Sequence, residues 1–452
     1  MTAMQDSPTT TPSAVRPPAS GRRRELAAAT VGSVVESFDW NIYAVLAPFF
    51  AADLFGDGAG VSGLLAAYVG FAVGFVGRPV GSWLIGRISD TRGRRFGLTL
   101  SMSVIAAASL ALALLPTQAA VGAAAAVLTV LVRMIQGLAY GGETPTVAAY
   151  VTETAPPRHR WLFSSISYGG IIIGSLLAYG VLALLFAVFG TDGLAQGGWR
   201  WGFAVGALLG LAAVWVRRIA PESEDFRRER TAQERGAGRP PLRSVFRDHP
   251  RSVLTLFLLT VGGTVTFYFG LVYLPVYAEA VGATSSKSAS VFMTVVLFVV
   301  LATMLLVGAL ADRVGALPVL RWGYAALTVL ILPLLTALEH GWLPFQAVAV
   351  IYGVLLTAGL ATVNVFSGSL FPTGVRAVGA GIVGAVTIAL FGGTFPLLAE
   401  WLKAIGHLGV IPLYVTACSL AALVSTFIAT RVPGFVAAAA PVAAGEGTDV
   451  AA

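Results

Sequence analysis

The chain has 452 residues, of which 56% are hydrophobic and only 11% charged, with a mean hydropathy of +0.81. A soluble domain carries about 25% charged residues, so the composition excludes an ordinary soluble globular protein and points to one built against lipid. A single cysteine, Cys418, excludes an intrachain disulfide and a metal site made of paired thiolates.

Residues 1–25, rich in Thr, Ser, Pro and Ala, read as a disordered tail. Twelve apolar stretches follow, at 26–50, 63–88, 97–115, 122–150, 162–189, 200–218, 252–278, 288–311, 322–338, 345–370, 378–402 and 411–430. Each is close to the ~20 residues that cross a bilayer as a helix. The first contains Glu36 and Asp39, unlike the short uncharged core of a secretory signal. A polar loop at 219–251 separates a 26–218 set of six from a 252–431 set of six, and 432–452 forms a second tail. The expected fold is therefore all-α and integral to the membrane.

The positions of the basic residues fix the expected orientation. Ten arginines lie between Arg217 and Arg251, and Arg22 to Arg24 precede the first stretch. The opposite loops hold Lys287 and Lys403, the only lysines in the chain. By the positive-inside rule both termini are cytoplasmic. The pI near 9.7 is then a topology signal, and no nucleic-acid partner is expected.

A short motif is written twice. Gly86, Asp90, Gly93, Arg94 and Arg95 follow the second stretch, while Gly308, Asp312, Arg313 and Gly315 follow the eighth. The copies lie 222 residues apart, from Gly86 to Gly308. Two duplicated halves around a central site are the plan of a secondary transporter. With Glu153, these charged residues are candidates for a cytoplasmic gate.

Charge inside a spanning helix costs on the order of 2.5–3.5 kcal/mol at mid-depth, so such groups face the bundle interior. Glu36 and Asp39 share one helical face by their i, i+3 spacing. Arg78 and Arg133 lie at similar depth, so direct neutralisation of acids by guanidiniums is expected. Glu36, Asp39, Arg133 and Glu143 are the candidate proton-coupling residues. A permanent ion-pair cluster locking three helices together is the competing reading, although buried pairs are seldom net stabilising. Embedded charge nearly vanishes from the second half. There Tyr268, Tyr273 and Asn364 are candidate ligand groups, and Pro275 is expected to break its helix. Trp40, Tyr43, Arg78 and Gln136 complete the candidate substrate-binding set.

These residues carry a family pattern. Glu36 through Tyr43, Gly77-Arg78-Pro79, Arg133 through Glu143, Trp199-Arg200, Tyr273-Leu-Pro275, Phe371 through Arg376 and Phe391 through Thr394 occur in order. The chain resembles the major facilitator superfamily, and within it the metabolite:proton symporter branch of α-ketoglutarate, shikimate, citrate and proline/betaine permeases. It departs at Thr91, where a basic residue is usual, and at Ala316 and Leu317, where the second motif lacks its arginines.

The resemblance implies twelve transmembrane helices in two pseudo-symmetric six-helix bundles. It also implies proton-coupled uptake by alternating access in a bacterial inner membrane, as a functional monomer. No cofactor is expected beyond the proton gradient, and the partners are a small metabolite, a proton and the lipid bilayer. Arg78 and Arg200 favour a mono- or dicarboxylate. The alternatives are a betaine-type zwitterion held by Phe38, Trp40 and Tyr43, a proton antiporter for drugs or metabolites, and a ligand sensor. No nucleophile–base pair or phosphate loop argues for an enzyme.

Overall fold

The computed structural model describes residues 19–56, 62–140, 155–219, 242–372, 375–432 and 435. Within them the side chains of 19–30, 86, 89, 90, 94, 157, 219, 242–244 and 376–378 are outside the description. Twelve long helices account for nearly all of it. The first half holds α1 (Ala19–Phe55), α2 (Gly63–Arg92), α3 (Arg94–Leu114), α4 (Ala124–Tyr140), α5 (Arg160–Gly193) and α6 (Arg200–Ile219). The second holds α7 (Pro250–Ala280), α8 (Ser286–Val314), α9 (Ala316–Glu339), α10 (Phe345–Ser369), α11 (Gly379–Ala404) and α12 (Val410–Ala429). Ten are long and apolar enough to cross a membrane. α1 extends back to Ala19, ahead of the apolar pattern that begins at 26. α4 is described only to Tyr140, so Glu143 and Glu153 lie outside the described residues.

The outer faces suit lipid. Trp83, Trp215, Phe298 and Leu306 are large apolar side chains more than half exposed, which water would penalise and acyl chains accept. Between helices, small residues set the spacing. A Cβ at Gly137 would collide with the Gly74 carbonyl, and one at Gly81 with the Leu138 carbonyl. α2 and α4 therefore cross with their backbones in contact.

The duplication is visible in the packing. α1 rests on α5, α2 on α4 and α3 on α6, and in the second half α8 rests on α10 and α9 on α12, while α7 packs on both α11 and, more extensively, α12. The twin motifs repeat even in their dihedrals. Gly93 has φ 98° and ψ 147°, and Gly315 has φ 89° and ψ 149°. Only glycine adopts that left-handed conformation cheaply, which explains a glycine at this one point in both copies.

Two helices are broken alike. α7 widens at Phe269–Tyr273 just before Pro275, and α11 widens at Ile388–Gly392 before Pro396. Proline has no N–H for the carbonyl four residues earlier, and for Pro275 that carbonyl belongs to Leu271. It accepts a hydrogen bond from the Tyr179 hydroxyl at 3.0 Å instead, which ties α5 of one half to α7 of the other.

Gly137→Val is expected to lower unfolding stability in detergent by about 1–3 kcal/mol, the usual cost of forced overpacking. Gly180→Val, where an added Cβ meets nothing within 4 Å, serves as the tolerated control. Equal thermal melting of the two variants would remove the close α2–α4 crossing from the account.

Candidate functional site

A cavity of about 280 Å³ lies between the two halves. Odd-numbered helices start at the face where the chain begins and even-numbered ones end there. The lining positions fall early in α1, α5, α7, α9 and α11 and late in α2 and α10. The cavity therefore occupies the half of the molecule nearest the termini. Its first-half wall is polar and charged, with Glu36, Ser37, Asn41, Arg78 and Ser82. Its second-half wall is mostly apolar, with Leu256, Leu259, Leu360 and Val363, and its polar groups are all neutral: Thr260, Thr264, Tyr268, Tyr324, Asn364 and Ser367.

Trp40 stands at the boundary between this cavity and a buried polar layer. The Arg78 guanidinium lies 4.0 Å from its ring centroid and the Arg133 guanidinium 4.3 Å. Arg78 also meets the rings of Phe75 at 4.5 Å and Tyr140 at 5.1 Å. Arg133 is completely buried and sits 4.2 Å from the Tyr43 ring. Aromatic faces attract such cations, and desolvation strengthens the attraction to about 2 kcal/mol or more.

Between Asp39 and Arg133 the expected direct pairing is replaced by a relay. Arg133 Nη1 donates to Gln136 Oε1 at 2.8 Å, and Gln136 Nε2 donates to Asp39 Oδ2 at 2.9 Å. Asp39 also accepts from the Tyr140 hydroxyl at 2.8 Å and from the Ser109 hydroxyl. Arg133 Nε and Nη2 have no hydrogen-bond partner among the described residues. Gln136 lies one turn beyond Arg133 on α4 and fills the space that a direct ion pair would occupy.

Sequence neighbours thus separate into layers. Glu36, Trp40, Arg78, Tyr268 and Asn364 line the cavity, whereas Asp39, Tyr43, Arg133 and Gln136 lie behind it. The i, i+3 spacing of Glu36 and Asp39 holds, yet one carboxylate belongs to the cavity wall and the other to the interior. Arg200, expected as a second carboxylate fork, is committed elsewhere. Its Nη1 donates to the carbonyls of Ala113 at 2.9 Å and Leu115 at 2.6 Å, closing the end of α3.

On the far side of the cavity the halves meet closely. Tyr268 packs edge-on to Phe71 and Phe75, and a Cβ at Gly393 would strike the Phe75 ring. Further out, Tyr68 and Tyr273 face each other at 6.3 Å between centroids. Tyr273 is therefore part of this seal and not of the cavity wall. Its hydroxyl donates to Glu400 at 3.2 Å, and Glu400 pairs with Lys403 at 2.7 Å. Glu400 is 3% exposed, so the second half does hold an embedded acid. The signal was present in an acid and a lysine three apart at the end of the stretch 378–402. Ser109 and Tyr179, by contrast, carried no sequence signal.

At the near face, Asp312 accepts the backbone N–H groups of Trp161 at 2.8 Å and Leu162 at 3.1 Å. A carboxylate from α8 thereby caps the N-terminus of α5 across the interface between halves, where the helix dipole favours negative charge. Arg313 is exposed. Arg95 donates to the Arg218 carbonyl, joining α3 to α6 within the first half. The side chains of Asp90 and Arg94 fall outside the described residues, and Gly86 and Gly93 lie on the backbone at the end of α2 and before α3.

The Major Facilitator Superfamily pattern matches residues 29–396. The chain is 32% identical to the alpha-ketoglutarate permease of Escherichia coli, an alignment covering 91% of this chain and 94% of the relative. It is also 32% identical to an ectoine/proline transporter of Corynebacterium glutamicum, covering 89% and 82%. Among solved structures, a D-xylose-proton symporter superposes with a TM-score of 0.72 at 20% identity, covering 91% and 98%. That likeness establishes the fold.

The seal generates one expectation. Tyr179→Phe removes a hydrogen bond worth about 0.5–1.5 kcal/mol, and the population open at the far face should rise about 2- to 12-fold. Spin-label distances between the far-face ends of α3 and α9 report that population. An unchanged distribution would exclude the hydroxyl from the seal.

Proposed function

The chain belongs to the major facilitator superfamily and is a membrane transporter rather than an enzyme; from that premise we propose that it couples uptake of a small organic carboxylate to inward proton movement. The observation that carries this reading is the layering around Trp40. Arg78 presents a guanidinium at the cavity wall, and the Asp39–Gln136–Arg133 relay lies directly behind the same ring. A planar guanidinium matches a carboxylate in charge and geometry. Asp39 is the proton carrier in this reading, because its hydrogen bonds come from neutral donors that tolerate either protonation state. Glu36, at the cavity wall, is the group that passes the proton between Asp39 and solvent.

The arginine-rich loops put both termini in the cytoplasm, so the cavity faces the cytoplasm and the far-face seal closes the outside. A monocarboxylate and one proton cross together without net charge, so a one-to-one symport draws on the pH difference, about 1.4 kcal/mol and roughly tenfold accumulation per pH unit. The membrane is the bacterial inner membrane, and the single chain contains the whole path.

Trp40 also argues against the betaine alternative. A quaternary ammonium needs open aromatic faces, whereas Phe38 and Tyr43 are completely buried and the Trp40 ring is taken by two arginines. The side chains expected to form a cage are filled by the protein's own cations.

In proteoliposomes, Asp39→Asn is expected to reduce proton-driven accumulation of a labelled carboxylate more than about tenfold while leaving solute counterflow in place. Arg78→Lys keeps the charge but loses the fork, and should raise the half-saturating carboxylate concentration about tenfold or more. Accumulation by Asp39→Asn at the wild-type level would end the coupling assignment. Stabilisation of the purified protein by glycine betaine and by no carboxylate would end the substrate assignment.

A further inference from the structure

The cavity is asymmetric in charge, and the asymmetry bears on how many carboxylates it can hold. Among the described lining residues Arg78 is the only cation, and the other charged group, Glu36, is itself an acid. Both stand on the first-half wall. The wall opposite is apolar apart from neutral donors and acceptors, and one of these, Asn364, already donates to Ser167 Oγ at 3.3 Å. A second carboxylate directed there would lose its hydration without gaining a counter-charge.

One neutral group on that wall arrives by an unusual route. Tyr324 belongs to α9, which packs against α10 and α12 at the edge of the second half. Its ring nevertheless reaches the cavity, because two glycines clear the way. A Cβ at Gly263 on α7 would come within 3.2 Å of the Tyr324 hydroxyl, and one at Gly359 on α10 within 2.5 Å. Any larger residue at Gly359 would push the phenol aside. The hydroxyl has no hydrogen-bond partner recorded among the described residues, and the ring lines the cavity.

We infer that the site selects a monoanionic solute, with one carboxylate on Arg78 and a neutral, hydroxyl-bearing body directed at Tyr324. This rests on the carboxylate reading above and narrows it, setting monocarboxylates above dicarboxylates. Tyr324 is the specificity-determining residue at the neutral pole, and the Gly263–Gly359 gap is what admits it. A phenol hydrogen-bonds a hydroxyl in either direction, whereas a buried anion at that pole would also need charge neutralisation.

The test uses three probes that differ only at the far end: cyclohexanecarboxylate, 4-hydroxycyclohexanecarboxylate and cyclohexane-1,4-dicarboxylate, with 2-oxoglutarate as an unrelated dicarboxylate. Affinities for the purified full chain come from calorimetry. The hydroxy acid is expected to bind about tenfold or more tightly than the 1,4-diacid, a gap typical of an uncompensated buried charge. Tyr324→Phe should bring the hydroxy acid down to the affinity of the unsubstituted acid, about fivefold, and leave the unsubstituted acid unchanged. The wild-type series decides the question even if the variant does not fold. Tighter binding of the 1,4-diacid, or binding of 2-oxoglutarate with none of the mono-acids, overturns the inference and leaves the carboxylate reading standing. Failure of all four acids to bind while glycine betaine binds overturns both.

Discussion

A buried guanidinium with no carboxylate in direct contact among the described residues constrains the whole first half of this molecule. Arg133 is completely buried, and its nearest acid, Asp39, is reached only through Gln136. An isolated charge in an apolar interior is prohibitively costly. Here the cost is spread over the aromatic faces of Trp40 and Tyr43, one amide and one relayed carboxylate. The compensating groups come from adjoining turns of α1 and from α4, so these helices must keep their register. The glycines that let α2 and α4 cross in contact place Arg78 on the other side of that aromatic layer. Packing and electrostatics are therefore one constraint.

The relay also differs in kind from an ion pair. Two opposite charges in low dielectric attract so strongly that separating them is slow and expensive. An amide between them weakens that attraction and leaves each partner with hydrogen bonds that survive a change of protonation. Asp39 accepts from a serine, a tyrosine and a glutamine, all neutral donors. A site built in this way holds its geometry while a proton comes and goes, which a locked salt bridge would not.

How much of this was legible in the sequence follows from what each residue costs. Asp39 and Arg133 stood out because ionisable side chains in apolar stretches have few explanations. Their spacing gave the helical face but not the layer, so Glu36 and Asp39 looked equivalent although one lines the cavity and the other does not. Tyr43 and Gln136 share helices with cavity residues and lie behind them for the same reason. Arg200 misled because a guanidinium that closes a neighbouring helix end reads like one that awaits a ligand. Ser109, Tyr179 and Tyr324 left no mark, since a hydroxyl in an apolar run is cheap to place and acquires meaning only from its tertiary partner. The twelve-helix pattern and the duplicated motif were readable throughout, because period and repeat belong to the chain itself.

The magnitudes at the interface explain why a modest driving force can move so large a structure. α5 is held to the second half by single polar contacts along its length: Asp312 on its first backbone N–H groups, Ser165 on the Ala361 carbonyl, Ser167 with Asn364, and Tyr179 on the Leu271 carbonyl that Pro275 leaves without its helical donor. Bonds of the neutral kind contribute about 0.5–1.5 kcal/mol, and charge-assisted ones about 1.5–3. Such sums are comparable with the ~1.4 kcal/mol that one proton releases in crossing one unit of pH difference. Large buried salt bridges across the interface would exceed that scale and fix one state. Among the described residues the far-face contacts across it are aromatic edges, glycine contacts and single hydrogen bonds, each of which can be exchanged for lipid-side or cavity-side partners at small net cost. The far-face seal is weak where it must part, while the Arg133–Gln136–Asp39 relay lies inside one half, where nothing needs to separate.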